Sequence, residues 1–238
     1  MEELIISKRP GGPLAARPLN YFWIIDVSSS MAGDGKIQSL NNSIRDAIPL
    51  IRKEADNYPN AKLFVRVITF SSGASWHLAQ PTPIADFKWT DLNASGVTDM
   101  GKAFRMVSEQ LRMPPMPERG LPPVLALLSD GQPTDDYESG IEAIMAQPWG
   151  KKSIRVAIAI GGDANLEVLQ KFIGHPEMQP LRANNPEALA KCIRWVSTIP
   201  IGMSLAPPIN PADPSSRRKD TPVPIPSGNG GSEDPNVW

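Results

Sequence analysis

The chain has 238 residues, which at roughly 150 per domain means one or two domains. Lys plus Arg number 24 and Asp plus Glu 25, so the net charge is −1, and a protein that wraps a nucleic-acid backbone in positive charge is not expected. One cysteine, Cys192, excludes an internal disulfide and a zinc site built on several thiolates, while two histidines, His77 and His175, leave little for imidazole catalysis.

Proline is the compositional outlier, at 26 residues, about twice its usual share of roughly 5%. Its placement suggests three zones. Residues 1–18 hold Pro10, Gly11, Gly12, Pro13 and Pro18 and read as an arm without periodicity. Residues 19–200 alternate apolar runs with amphipathic stretches and read as one domain. Residues 201–238 carry eight prolines and the basic run Arg217-Arg218-Lys219, and read as a disordered tail with too little apolar area to offset chain ordering. The apolar runs are far shorter than the roughly 20 residues of a spanning helix, so no membrane association is expected. The acidic N-terminus lacks a secretory h-region, and with a single cysteine this points to the cytoplasm.

In chain order, residues 21–27 (YFWIIDV) form a continuous apolar run, as in a strand covered on both faces. Ile37, Leu40, Ile44, Ile48, Ile51 and Ala55 recur every three or four residues and mark a helix. Residues 62–70 predict the second strand, and residues 75–79 a shorter edge strand. Phe104, Val107 and Leu111 mark the next helix, which runs into an exposed loop, Pro114-Pro115-Met116-Pro117. Residues 124–129 (VLALLS) predict a buried strand that ends in Asp130. Next come a helix over 137–146, a strand over 154–160 closed by Gly161-Gly162, and helices over 166–173 and 186–199, with a weak strand near Leu181. This alternation predicts an α/β fold: a three-layer, doubly wound, Rossmann-like sheet, mostly parallel, with one antiparallel edge strand and helices on both faces. Ligands of such sheets sit at the carboxyl ends of the strands.

Those ends carry the informative residues. The first strand runs into Asp26-Val27-Ser28-Ser29-Ser30, with a carboxylate and two hydroxyls at alternate positions. Three oxygen donors on one turn suit a hard dication. Asp130 comes directly after the 124–129 strand on the same rim, and Thr98 lies in the loop before the second helix. As an ordinary turn, Asp and Ser could equally be caps; Thr98 and Asp130 weigh against that. Asp135 and Asp136 read as caps of the next helix, and Asp99 as a charge at a helix N-terminus. His77 and His175 are assigned to the surface, Cys192 to the core, and Trp76 and Trp89 to packing. Thr221 and the pair Glu233 and Asp234 lie in the tail, as a candidate phosphoacceptor and as candidate carboxylates for the protein's own site.

Asp26, Ser28, Ser30, Thr98 and Asp130, in this order, resemble the metal-ion-dependent adhesion site of the von Willebrand factor A domain family, over residues 19–200. The run Ser129-Asp130-Gly131-Gln132-Pro133-Thr134-Asp135 further resembles the bacterial tellurium-resistance TerY-type branch. The resemblance implies a divalent ion, magnesium foremost with manganese or calcium as alternatives, held by these five side chains. It implies a protein partner that completes the coordination with an Asp or Glu carboxylate. It also implies a setting of stress, tellurite resistance or phage defence, with a PP2C-type phosphatase and a protein kinase as partners. Neutral hydroxyls around the ion leave it electron-poor, so an incoming carboxylate is attracted strongly. A metal-dependent hydrolase is the enzymatic alternative, but no G-x-S-x-G elbow, P-loop or dinucleotide fingerprint is present. The remaining alternative is an adaptor that works through its proline-rich tail.

Overall fold

A computed structural model describes residues 16–130 and 132–205. Most of the 1–18 arm and of the 201–238 tail, with Thr221, Glu233 and Asp234, lies outside the described residues, as does Gly131.

Six strands form one sheet in the order β3-β2-β1-β4-β5-β6. They are β1 (Arg17–Asp26), β2 (Ala61–Ser71), β3 (Gly73–Pro83), β4 (Val124–Ser129), β5 (Ile154–Ile160) and β6 (Leu181–Ala183). All pairings are parallel except β2 with β3, a hairpin whose second arm is the edge strand. The expected fold class is the observed one. The edge strand runs from Gly73 to Pro83, longer than residues 75–79, because its polar outer positions hide it from a reading based on apolar runs. The structured elements begin at Arg17 and extend to α7, at Ile199–Leu205.

Successive residues of β1 point to opposite faces, so its unbroken apolar run serves two cores. Tyr21, Trp23 and Ile25 pack on one face, against α1 (Lys36–Asp56), α6 (Pro186–Val196) and Ile201 of α7. Phe22 and Ile24 pack on the other, against α2 (Met100–Gln110), α3 (Tyr137–Ala146), α4 (Pro148–Lys152) and α5 (Leu166–Ile173). In α1 the buried stripe is Ile37, Leu40, Ile44, Ala47, Ile48 and Ile51, as the periodicity predicts, with Ala55 only partly covered. On the far face the rings of Phe104 and Phe172 stack at 5.1 Å and lock α2 to α5.

The proline loop departs from expectation. Pro114 and Pro115 are exposed, but Met116 is buried at 5% exposure within the core under α2, and its Sδ accepts a 3.3 Å hydrogen bond from Asn20 Nδ2. A flexible thioether packs beside the N-terminal half of the central strand β1 while Pro114 and Pro115 stay at the surface. No helix among the described residues is long and apolar enough to cross a membrane.

The topology fixes the place of the site. After β1 the chain passes to the α1 face, and after β4 to the α3 face. The neighbouring C-terminal ends of β1 and β4 are therefore the point where the connections leave for opposite faces, the place where sheets of this kind take their ligands.

Candidate metal centre

Asp26 is the last residue of β1 and is fully buried. Its Oδ1 accepts from the Ser28 amide at 2.8 Å, a short Asx turn that reverses the chain off the sheet. Its Oδ2 accepts from Ser129 Oγ at 2.6 Å. Ser28 is buried and Ser30 exposed, and their hydroxyl oxygens lie 2.9 Å apart, so the alternate spacing does gather them. A 3-10 turn, Ser29–Gly35, carries the chain from this point to α1.

Asp130 stands just past the end of β4 at 2% exposure, and its Oδ1 accepts from the Gln132 amide at 3.3 Å. Asp26 and Asp130 are close enough to repel. Burial is the main cause that pushes the Asp26 carboxyl up, to about 6. The hydrogen bonds from Ser129 and Ser28 oppose the rise and the charge of Asp130 adds to it.

Thr98 reaches the rim by a different route. Its loop is tied to the Ser28 turn by two backbone bonds, Ser29 N to Gly96 O at 2.9 Å and Ser95 N to Val27 O at 2.7 Å. Gly96 has φ +85°, and a Cβ there would stand 2.6 Å from Ser72 Oγ, so only glycine fits where this loop crosses the β2–β3 turn. Thr98 is 5% exposed, and among the described residues its hydroxyl makes no hydrogen bond.

The structure thus brings Asp26, Ser28 and Ser30 together, sets Asp130 beside Asp26, and binds the Thr98 loop to the Ser28 turn. The donor set fits a hard dication: two carboxylates and three hydroxyls, all oxygen. None of the ion pairs among the described residues involves Asp26 or Asp130. Among the described residues no group of three or more His, Cys, Asp or Glu side chains is placed to hold a metal, so any ion here would depend on hydroxyls.

Three neighbouring residues serve the rim in ways the sequence does not reveal. Ser129 is fully buried and orients Asp26 from the adjacent strand. Thr134 pairs with Thr98: its amide donates to Thr98 O at 2.9 Å, and its Oγ1 accepts from the Thr98 amide at 3.1 Å. Asp135 does not cap the next helix. Its carboxylate accepts from the Gly101 and Lys102 amides of α2 at 2.8 and 2.9 Å, because the segment after β4 folds back over the α2 N-terminus. Asp136 does cap α3, accepting from the Ser139 amide at 3.1 Å. Asp99 stands at the N-cap position of α2 without a capping bond. Its Oδ2 instead accepts from the Gly73 amide at 2.8 Å and from Lys102 Nζ at 2.6 Å, which latches the β2–β3 turn.

The other singled-out residues lie elsewhere. Cys192 is buried and His175 exposed. His77 Nε2 is 3.1 Å from Thr90 O. Trp89 Nε1 donates to Asn41 Oδ1 at 3.1 Å, and the Arg66 guanidinium lies over the Trp76 ring at 4.5 Å.

Comparison with solved structures places this architecture. A von Willebrand factor type A protein from Catenulispora acidiphila is 18% identical with a TM-score of 0.58, over 79% of this chain and 43% of that one. The ArnB paralog VWA2 from Sulfolobus acidocaldarius is 20% identical with a TM-score of 0.56, over 76% and 45%. Proximal thread matrix protein 1 from the mussel byssus, in a structure described as having a zinc-occupied MIDAS motif, is 17% identical with a TM-score of 0.53, over 78% and 46%. This chain therefore has the von Willebrand factor A fold, and it spans less than half the length of these three chains. No family model and no curated protein matches it.

Proposed function

We propose that this chain is a metal-dependent protein-binding module that is not an enzyme. Asp26, Ser28, Ser30, Thr98 and Asp130 hold a divalent ion, and a partner's Asp or Glu carboxylate completes its coordination. The observation that carries the reading is the convergence of the Asp26 turn, the Thr98 loop and Asp130 on one rim, around a buried carboxylate pair with no cationic partner among the described residues. A fold shared with a protein described as holding zinc in such a motif supports it.

The ion is magnesium, which keeps waters that a partner carboxylate can displace. Hydroxyl ligands leave it electrophilic enough to attract that carboxylate. The non-enzymatic reading is supported by the histidines, since His77 is engaged by Thr90 and His175 stands at the surface after α5. The resemblance of the run from Ser129 to Asp135 to the TerY-type branch supports a cytoplasmic role in which the chain scaffolds or regulates a PP2C-type phosphatase and a protein kinase in stress, tellurite resistance or phage defence.

Two measurements test this. Titration calorimetry with magnesium chloride gives a saturable heat for the wild type and none for Asp26→Ala; no heat for the wild type refutes the metal centre. Capture of the purified phosphatase and kinase then depends on magnesium and is lost in EDTA. Equal capture in both conditions refutes the metal-dependent module.

A further inference from the structure

We propose that Thr134 is a positioning residue that clamps the Thr98 loop to the Asp130 loop and so sets the Thr98 hydroxyl for the ion. The inference rests on the metal-binding reading above.

Thr98 is the one hydroxyl of the set that does not come from the β1 turn. Its main chain is held on both sides by a single residue. The Thr134 amide donates to Thr98 O at 2.9 Å, and Thr134 Oγ1 accepts from the Thr98 amide at 3.1 Å. That same Oγ1 donates to Asp99 Oδ1 at 3.4 Å, so the hydroxyl is used in both directions. With peptide N–H and C=O both held, the Thr98 backbone is restrained, and with it the direction of the Cα–Cβ bond that carries the hydroxyl.

The next residue extends the clamp. Asp135 binds the Gly101 and Lys102 amides, which places the first turn of α2 under the control of the segment that begins at Asp130. The fit is backbone on backbone: a Cβ on Gly101 would meet Asp136 O at 2.3 Å. The β1 turn is joined to the Thr98 loop by its own two bonds from Ser29 and Ser95. The three stretches that supply donors are therefore linked in sequence, and between the second and third Thr134 is the link at Thr98 itself, with Asp135 holding the turn that follows. A hydroxyl in this place is needed because an amide donor must be accepted by an oxygen, while the residue's own amide is spent on Thr98 O. Thr or Ser fits; Val has the shape without the acceptor.

The test uses the full chain and three variants, Thr134→Val, Thr134→Ser and Thr134→Ala. Hydrogen exchange of the Thr98 amide, measured in EDTA, reads the clamp without any metal. Thr134→Val accelerates that exchange and Thr134→Ser restores protection, while the Gly101 and Lys102 amides stay protected by Asp135. Magnesium calorimetry then shows binding weaker by roughly tenfold for Thr134→Val and near wild type for Thr134→Ser. Thr134→Ala gives the same two readings should valine perturb the loop. Unchanged Thr98 exchange in both Thr134→Val and Thr134→Ala overturns the clamp, whatever the metal does. Wild-type binding matched by Thr134→Val overturns the positioning role and leaves the metal centre standing. Absence of magnesium binding by the wild type overturns the centre, and with it the role assigned to Thr134.

Discussion

Ser129 Oγ donates to Asp26 Oδ2 at 2.6 Å and joins the C-terminal ends of β4 and β1, residues 103 positions apart. The bond spans the point where the two connections leave for opposite faces. It leaves Asp26 with both carboxylate oxygens engaged, one by Ser129 and one by the Ser28 amide. The carboxylate is thus oriented before any ion arrives.

Removal of this oriented donor is expected to weaken the proposed metal centre. Ser129→Ala deletes a hydrogen bond to a buried charge, and such partners of metal ligands are worth roughly tenfold or more in affinity. Magnesium calorimetry should show that loss while circular dichroism stays unchanged. Affinity equal to wild type would mean that the bond is structural only.

The Asp26 carboxyl sets a pH dependence. Its folded value of about 6 lies above the ordinary 3.8, so the folded protein takes up this proton more readily than the unfolded chain. Ionised Asp26 costs the metal-free fold about 3 kcal/mol, and the cost vanishes on protonation. In EDTA, the Asp26 contribution to stability therefore rises as pH falls from about 7 through about 6 to the ordinary 3.8, and Asp26→Asn loses that rise. Asp99 and Asp136 carry shifts of the opposite sign, so their contributions are lost at still lower pH. If Asp26 holds magnesium as proposed, the ion competes with the proton, and its stabilising increment should shrink below about pH 6. Urea melts at several pH values, with and without magnesium, measure both trends.

Trp23 lies at the centre of β1 and is fully buried, yet its Nε1 has no hydrogen-bond partner among the described residues. Trp23→Phe removes that unsatisfied donor as well as apolar area, and the two effects oppose each other. The expected cost is below about 2 kcal/mol, against about 2–5 kcal/mol for Ile24→Ala on the opposite face of the same strand. Urea unfolding of the two variants decides; equal large losses would show that the indole N–H costs the fold nothing.

Cys192 serves as a reporter of unfolding. Burial pushes its thiol up to about 11, and its Sγ lies 3.6 Å from Arg182 O. At pH 8 only about one thiol in a thousand is ionised, and α6 covers it. A disulfide reagent should react with the native protein at the rate of opening and at once in denaturant. Rapid labelling of the native state would place the thiol at the surface.

Helix and strand positions were legible where periodicity was clean. The stripe from Ile37 to Ile51 named α1, and apolar runs with clear breaks gave the bounds of α3, β5 and α5. The β3 edge strand reads from sequence as residues 75–79 alone because its polar outer face gives no apolar run. The local pattern around Met116 reads as exposed because its proline neighbours dominate it, whereas its burial comes from the core under α2 and a bond from Asn20, 96 positions away.

The chain's own order of residues determined the alternation of strands and helices, and with it an α/β sheet whose carboxyl rim bears Asp26, Ser28, Ser30 and Asp130. These are local properties, set by side-chain period and by the few residues at the end of each strand. The sheet order, the pairing of Ser129 with Asp26, the hold of Thr134 on Thr98 and the diversion of Asp135 to α2 were decided by tertiary structure alone. Each is a matter of hydrogen bonds between groups far apart in sequence, and no local pattern encodes a partner that only folding brings within about 3 Å.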